Sequence, residues 1–338
     1  MRVYFRRSMC FGCVAIAAAA LLMAARAASS DEGPATSSDA APAKRNFKFT
    51  YSVKIPVPAD GSKLLEAWVP VPQTDDLQRV SDLKVEASVA HTVETETEYG
   101  NQMIHVRIEN PKAEVSLSWS AVIERTADVG QGQGALHPRF TQPDKLVPLD
   151  GKAAQMATEL GVKTGGTVRE RAKKVYDNVL HTMFYDKVVE GWGKGDFDRA
   201  CTVGKGNCTD FHAKFIGIAR AAGIPVRFTM GVPLSGDPKG LAGGYHCWAH
   251  FYDGASWIPV DISEAQKLLE QNPAKAEWFF GNLDPDRVSL SVGRDVNLAP
   301  KQQGSALLFF IYPHVEVDAK KVDVPKEART FSFENVGS

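Results

Sequence analysis

The hydrophobic periodicity of the chain changes once along its length, and this change most limits the folds that it can adopt. Residues 46–55 alternate apolar and polar side chains, with Phe47, Phe49 and Tyr51 on one side, as is typical of a half-buried strand. Turn-forming residues separate the further strand-like runs, which are Leu65–Val71, Leu83–Val89, Thr92–Glu98, Met103–Ile108 and Val115–Arg125. Short strands at this spacing predict an all-β sandwich domain over residues 45–130.

Helical periodicity begins after a glycine- and proline-rich boundary at Gly130–Pro143. Apolar residues then recur at helical spacing within 168–180. Strand-like runs follow, so we predict an α+β domain over residues 140–262. Residues 263–338 are predicted to be a strand-rich extension that packs on this core and carries no chemistry of its own.

The N-terminus has the pattern of a secretory signal peptide. Three arginines lie among the first seven residues, an apolar run covers residues 8–25, and a small-x-small cleavage pattern ends at Ala27. A single transmembrane anchor is the alternative, but the run is of borderline length and mostly alanine. We therefore predict cleavage after about Ala27, export to the periplasm or the medium, and a flexible linker over residues 28–44.

The charge of the chain gives no reason to expect nucleic-acid binding. Its 39 basic residues face 40 acidic ones. Removal of residues 1–27, which hold four arginines and no acidic residue, leaves 35 basic against 40 acidic residues. A mildly acidic protein lacks the basic field that steers proteins onto nucleic acid.

The cysteines predict a free thiol. The chain has five cysteines, and cleavage removes Cys10 and Cys13, leaving Cys201, Cys208 and Cys247. An odd number in an oxidising compartment implies at least one unpaired thiol, unless chains are cross-linked.

Cys208 is predicted to lie at the start of a helix. Apolar residues after it recur at helical spacing, Asn207 or Thr209 can cap the helix start, and Gly223 is a natural stop. The positive end of the helix dipole favours a thiolate over a thiol. The free N–H groups there can also form part of an oxyanion hole.

A histidine and an acid follow in a predicted hairpin. His246 lies near the start of one strand, a turn follows at Asp253-Gly254, and Asp261 lies at the end of the next strand. An antiparallel pairing brings His246 and Asp261 side by side. A thiolate needs a base that later acts as an acid, and an acid beside the imidazole fixes its tautomer. Cys208, His246 and Asp261 are therefore candidates for a catalytic triad.

The order of these segments resembles the transglutaminase-like superfamily. The shared features are Cys208 opening a helix, RAAGIPVR at 220–227, His246 with Trp248, and WIPVD at 257–261. The resemblance covers roughly residues 145–262. It implies a papain-like α+β core, so the expected fold class is α+β with an all-β sandwich before the core.

The resemblance also implies a reaction. Cys208, His246 and Asp261 would carry acyl transfer on protein or peptide amides through a thioester, with hydrolysis favoured. The alternatives are a protein-crosslinking transglutaminase and a non-catalytic binding module of the cell envelope that uses the same cleft. No cofactor, metal or obligate partner is expected.

Other residues near the site have roles that the sequence leaves open. The backbone N–H of Cys208 and the side chains of Trp192 and Tyr185 are candidate oxyanion donors, although either side chain could only pack. Export also makes a disulfide between Cys201 and Cys247 possible, the alternative being two reduced, buried thiols.

His212 lies four residues after Cys208 and so on the same helix face. It could compete with His246 as the base. It could also join Cys208, His246 and Cys247 in a zinc site, but no second similarly spaced pair accompanies it, and the triad also accounts for Asp261.

Overall fold

The computed structural model describes residues 43–56 and 58–337. The predicted signal peptide lies outside them, as does the predicted linker up to residue 42. The strands are β1 Lys44–Ile55, β2 Leu64–Val71, β3 Gln78–Ala87, β4 Thr92–Thr95, β5 Gln102–Glu109, β6 Val115–Thr126, β7 Phe184–Tyr185, β8 Lys205–Gly206, β9 Val226–Pro233, β10 Lys239–Ala242, β11 His246–Tyr252, β12 Trp257–Val260, β13 Arg287–Val292, β14 His314–Val317, β15 Lys320–Val322 and β16 Arg329–Asn335.

The helices are α1 Gly151–Glu159, α2 Val168–Thr182, α3 Phe197–Val203, α4 Cys208–Ala221, α5 Ile262–Leu268 and α6 Pro273–Trp278. Within the described ranges, no helix has the length and apolar character needed to cross a membrane. The structure confirms the predicted α+β class.

Two five-stranded sheets form the β-rich part. One has the strand order β10-β16-β1-β6-β3 and the other β15-β14-β2-β5-β4. The alternation seen in the sequence places Phe49 and Trp119 from the first sheet and Leu65 and Val106 from the second in one hydrophobic core. Each of these four side chains is at most 1% exposed.

The tail of the chain corrects the predicted domain organisation. Within residues 263–338, β13 joins the core sheet, but β14 and β16 pair with β2 and β1 of the sandwich. Phe331 and Phe333 of β16 lie opposite Tyr51 and Phe49. Without β16, one side of β1 would be an unpaired edge. The tail therefore completes the sandwich instead of only packing on the core.

The core places the central helix α4 against a four-stranded antiparallel sheet of order β12-β11-β9-β13. Every residue of α4 from Cys208 to Arg220 is buried. The helix ends where Gly223 adopts a positive φ of 76° and the N–H of Ile224 donates to the carbonyl of Ala219, 3.0 Å away. Glycine tolerates this conformation, so the predicted helix stop is confirmed.

Candidate active site

Cys208 is the first residue of α4, as the sequence predicted. The side-chain oxygen of Asn207 caps the helix by accepting a hydrogen bond from the N–H of Thr209, at 3.0 Å. The first N–H groups of a helix have no partner within it. The thiol of Cys208 therefore lies beside the positive end of a helix that is almost wholly buried.

Asp210 fixes the loop that precedes this helix. Its carboxylate accepts hydrogen bonds from the N–H groups of Asn207 at 3.0 Å, Gly193 at 2.8 Å and Gly195 at 3.1 Å. The buried guanidinium of Arg294 donates to the carbonyl of Gly195 at 2.8 Å. These bonds hold the loop that carries Trp192 against the N-terminus of α4. Sequence reasoning missed both Asp210 and Arg294.

The hairpin of β11 and β12 brings His246 and Asp261 together. The strands pair antiparallel, with Ala249 opposite Val260. His246 Nε2 lies 2.7 Å from Asp261 Oδ2, and both side chains are buried. Nε2 is engaged by Asp261, so Nδ1 is the ring nitrogen left for Cys208, whose thiol is close enough to raise the pKa of His246. The structure thus brings together all three residues of the predicted triad.

The electrostatics favour a thiolate on Cys208 and a proton on His246. Burial alone would raise the pKa of the Cys208 thiol, but hydrogen bonds from Cys247 and His246 and the charge of His246 hold that pKa well below its ordinary value. Burial would lower the pKa of His246, yet Asp261 and Cys208 raise it to about 10. Burial opposes ionisation of Asp261, whose pKa is nevertheless lowered by His246 and Arg287. Oppositely charged partners stabilise each other's charged form in this way.

Arg287 is a second partner of Asp261. Its Nη1 donates to Asp261 Oδ2 at 3.3 Å, while Nη2 donates to Asp284 at 2.9 Å. The guanidinium carbon also lies 4.9 Å from the ring centroid of Trp248. Arg287 thus holds Asp261 in place and partly balances its charge. It comes 26 residues after Asp261, and no pattern in the sequence pointed to it.

Both ring nitrogens of His212 contact backbone groups. Its Nδ1 lies 2.8 Å from the carbonyl oxygen of Cys208, and its Nε2 accepts from the N–H of Ile262 at 3.4 Å. Burial lowers the pKa of His212, so the ring stays neutral. With both ring nitrogens engaged, His212 is not available as a base or a zinc ligand. Over residues 43–56 and 58–337, no group of three or more His, Cys, Asp or Glu side chains is arranged to hold a metal.

The two aromatic oxyanion candidates flank the site. Tyr185 is half-buried near Cys208 and lies under Lys267, whose Nζ is 4.0 Å from the ring centroid. Trp192 is 37% exposed, with Nζ of Lys187 5.9 Å from its ring. A third aromatic residue, Tyr245, was not predicted. Its hydroxyl accepts a hydrogen bond from Asn207 Nδ2 at 2.8 Å, beside the nucleophile.

The possible disulfide between Cys201 and Cys247 is not formed in the structure. The structure has free thiols at both positions and at Cys208. Cys201 Sγ lies 3.7 Å from Met156 Sδ on α1, whereas Cys247 Sγ lies 3.6 Å from His212 Nδ1 on α4. The two thiols therefore face different helices, and Cys247 instead adjoins Cys208.

Comparisons with known proteins agree with this arrangement. A family model described as the transglutaminase-like superfamily matches residues 154–262. An uncharacterized protein of Haemophilus influenzae is 28% identical over 328 residues, which cover 83% of this chain and 89% of that protein.

A solved structure shares the fold. It is that of a candidate cysteine protease from Cytophaga hutchinsonii, with a TM-score of 0.54 and 16% identity, covering 86% of this chain and 98% of that one. The matched segment contains Cys208, His246 and Asp261. The segment of residues 154–262, which carries these three residues, thus matches the model of the transglutaminase-like superfamily.

Proposed function

We propose that the protein is a thiol-dependent acyl-transfer enzyme that acts on amide groups of proteins or peptides, with hydrolysis as its main reaction. One observation carries the proposal. Cys208 opens a buried helix beside His246, and His246 is held by Asp261 at 2.7 Å. A nucleophile, a base and a group that orients the base are the components of covalent acyl transfer.

The chemistry follows from the charges of the three side chains. The thiolate of Cys208 attacks the amide carbonyl carbon, and the protonated His246 gives its proton to the departing nitrogen as the C–N bond breaks. The product is a thioester. Neutral His246 then takes a proton from water as the water oxygen attacks the thioester carbonyl carbon. The C–S bond breaks, the acyl group leaves as a carboxylic acid, and the Cys208 thiolate is restored beside protonated His246. Asp261 stabilises the positive charge that His246 carries before the first step and regains in the second.

The oxyanion that forms during the attack needs hydrogen-bond donors. The N–H of Cys208 is the first candidate, because the N-terminal N–H groups of a helix point away from it unpaired. Trp192 and Tyr185 are the proposed second donors, since both lie on the segment that precedes α4. Asp210 and Arg294 hold that segment in place.

We favour water over an amine as the acceptor because Cys208 is hard for a large acceptor to reach. Cys208 is only 2% exposed. Water reaches a thioester at such a position more easily than a lysine on a folded protein does. The predicted signal peptide would place this chemistry in the cell envelope, and a mature chain that begins near residue 28 would establish its cleavage.

A product assay tests the proposal. A peptide digest rich in glutamine is incubated with the enzyme, with and without a primary amine, and released ammonia and new amino termini are measured. We expect products with water alone, and their loss in Cys208→Ala. Release that requires the added amine would identify a crosslinking transglutaminase. If Cys208→Ala released as much ammonia and as many new amino termini as the wild type, the proposed enzyme would be contradicted and the non-catalytic binding module favoured.

A further inference from the structure

Cys247 is a buried thiol that the proposed reaction does not use. Its Sγ lies 3.6 Å from His212 Nδ1, and the same nitrogen lies 2.8 Å from the carbonyl oxygen of Cys208. The two thiols are also close enough for each to shift the pKa of the other. Strand β11 packs against α4, and Cys247 contacts this helix at His212, four residues after the nucleophile. Two thiols, Cys208 and Cys247, are therefore neighbours around His212.

The two thiols differ in reactivity. Cys208 lies at a helix N-terminus beside His246 and forms the thiolate, which is the form that attacks oxidants. Burial raises the pKa of Cys247, as does the neighbouring Cys208, so Cys247 remains a protonated thiol. Cys247 is 0% exposed. An oxidant that enters the site is consequently attacked by Cys208, and Cys247 then lies beside the oxidised Cys208.

We propose that Cys208 and Cys247 form a reversible thiol pair, in which a hydroperoxide oxidises Cys208 and Cys247 then closes a disulfide with it. This inference rests on the proposed function for the identity of the nucleophile. It assigns to Cys247 the role of a resolving cysteine, and to the site a form of regulation by oxidation.

The oxidation takes place in two steps. The Cys208 thiolate attacks the hydroperoxide, the O–O bond breaks, and Cys208 becomes a sulfenic acid while the peroxide leaves as hydroxide or alkoxide. The sulfur of Cys247 then attacks the sulfenic sulfur, an S–S bond forms, and the thiol proton and the sulfenic hydroxyl leave as water. An added dithiol reduces this disulfide back to two thiols.

The pairing would protect the nucleophile. A sulfenic acid that meets no thiol is oxidised further to a sulfinic acid, which a dithiol does not reduce. Because Cys247 adjoins Cys208, disulfide formation competes with that second oxidation. The oxidised enzyme is inactive, but its activity is recoverable.

Hydrogen peroxide treatment of the full chain tests this proposal. Intact mass spectrometry, peptide mapping without reductant and iodoacetamide labelling follow the cysteines. In the wild type we expect the loss of two hydrogen atoms, a cross-link between Cys208 and Cys247, and recovery of Cys208 labelling after dithiothreitol. Cys201→Ser is the matched control, since Cys201 contacts Met156 on another helix, and should behave as the wild type.

Cys247→Ser keeps a hydroxyl donor in place but removes the resolving sulfur. In this variant we expect Cys208 to gain two oxygen atoms, with recovery by dithiothreitol of less than about a tenth of the labelling. Oxidation of wild-type Cys208 to a sulfinic acid with Cys247 still alkylated would overturn the proposal, as would a cross-link to Cys201. If Cys208 resists peroxide but reacts rapidly with iodoacetamide, only this inference fails. If it resists both reagents, the proposed function fails too.

Discussion

Replacing His246 by glutamine should lower the rate of acyl transfer roughly a thousandfold, within the range of about 10²–10⁴ for the loss of a general acid and base. Glutamine can still donate a hydrogen bond to Asp261, which lies 2.7 Å from His246, but it cannot take up or release a proton. The effect would therefore report the loss of proton transfer more than a loss of structure. The ammonia and amino-terminus assay described above measures it.

A second buried histidine supplies a matched control. His250 lies on the same strand, and its Nε2 is 2.9 Å from Asp128 Oδ2, again inside the protein. His250→Gln makes the same chemical change at a second buried histidine–aspartate contact, whose partner is Asp128 and where burial lowers the pKa of the histidine. We expect its rate to stay within about threefold of the wild type, since additivity holds for sites without shared partners. Equal losses in both variants would show that His246 acts only through stability.

Replacing Phe331 by alanine should cost about 3–5 kcal/mol of unfolding free energy, the usual cost of truncating a buried phenylalanine. The side chain is 4% exposed, and its ring centroid lies 4.4 Å from that of Tyr51 near the other end of the chain. Because β16 lies between β10 and β1 inside its sheet, this loss should lower the stability of the whole sandwich. Urea unfolding of the full chain measures it.

Thr330→Ala, one residue away on the same strand, is the control. Thr330 is exposed, and surface substitutions usually change stability by less than about 0.5 kcal/mol. If Phe331→Ala unfolds at the same urea concentration as Thr330→Ala, then the tail is an appendage and the observed pairing of β16 with β1 is wrong.

The sequence was most informative where the relevant signal is local. The alternation from Phe47 to Ile55 predicted β1, because a half-buried strand imposes a period of two. A capping residue followed by an apolar stripe predicted the start of α4 at Cys208. The hairpin was predictable for the same reason, since a tight turn fixes which residues become neighbours.

The remaining features depend on contacts between distant segments. The sequence around Arg287 gives no indication that its guanidinium reaches Asp261 across the core sheet. The sequence also does not indicate that β16 pairs with both β1 and β10, because an alternating pattern predicts a strand but not the strands beside it. The sequence left the partner of Cys247 open for the same reason. Cys247 contacts His212 of α4, a neighbour that no local pattern in the sequence indicates.

The pH dependence of iodoacetamide labelling at Cys208 tests the central claim most directly. Cys201 serves as the internal reference, since burial raises the pKa of its thiol to about 11. The account predicts that Cys208 is labelled faster than Cys201 by roughly tenfold or more near pH 6, with little change up to about pH 9, because it is already a thiolate. In His246→Gln, labelling of Cys208 should rise steeply with pH, as for an ordinary buried thiol. Labelling of wild-type Cys208 that is no faster than that of Cys201, or that rises with pH as it does in His246→Gln, would contradict the account.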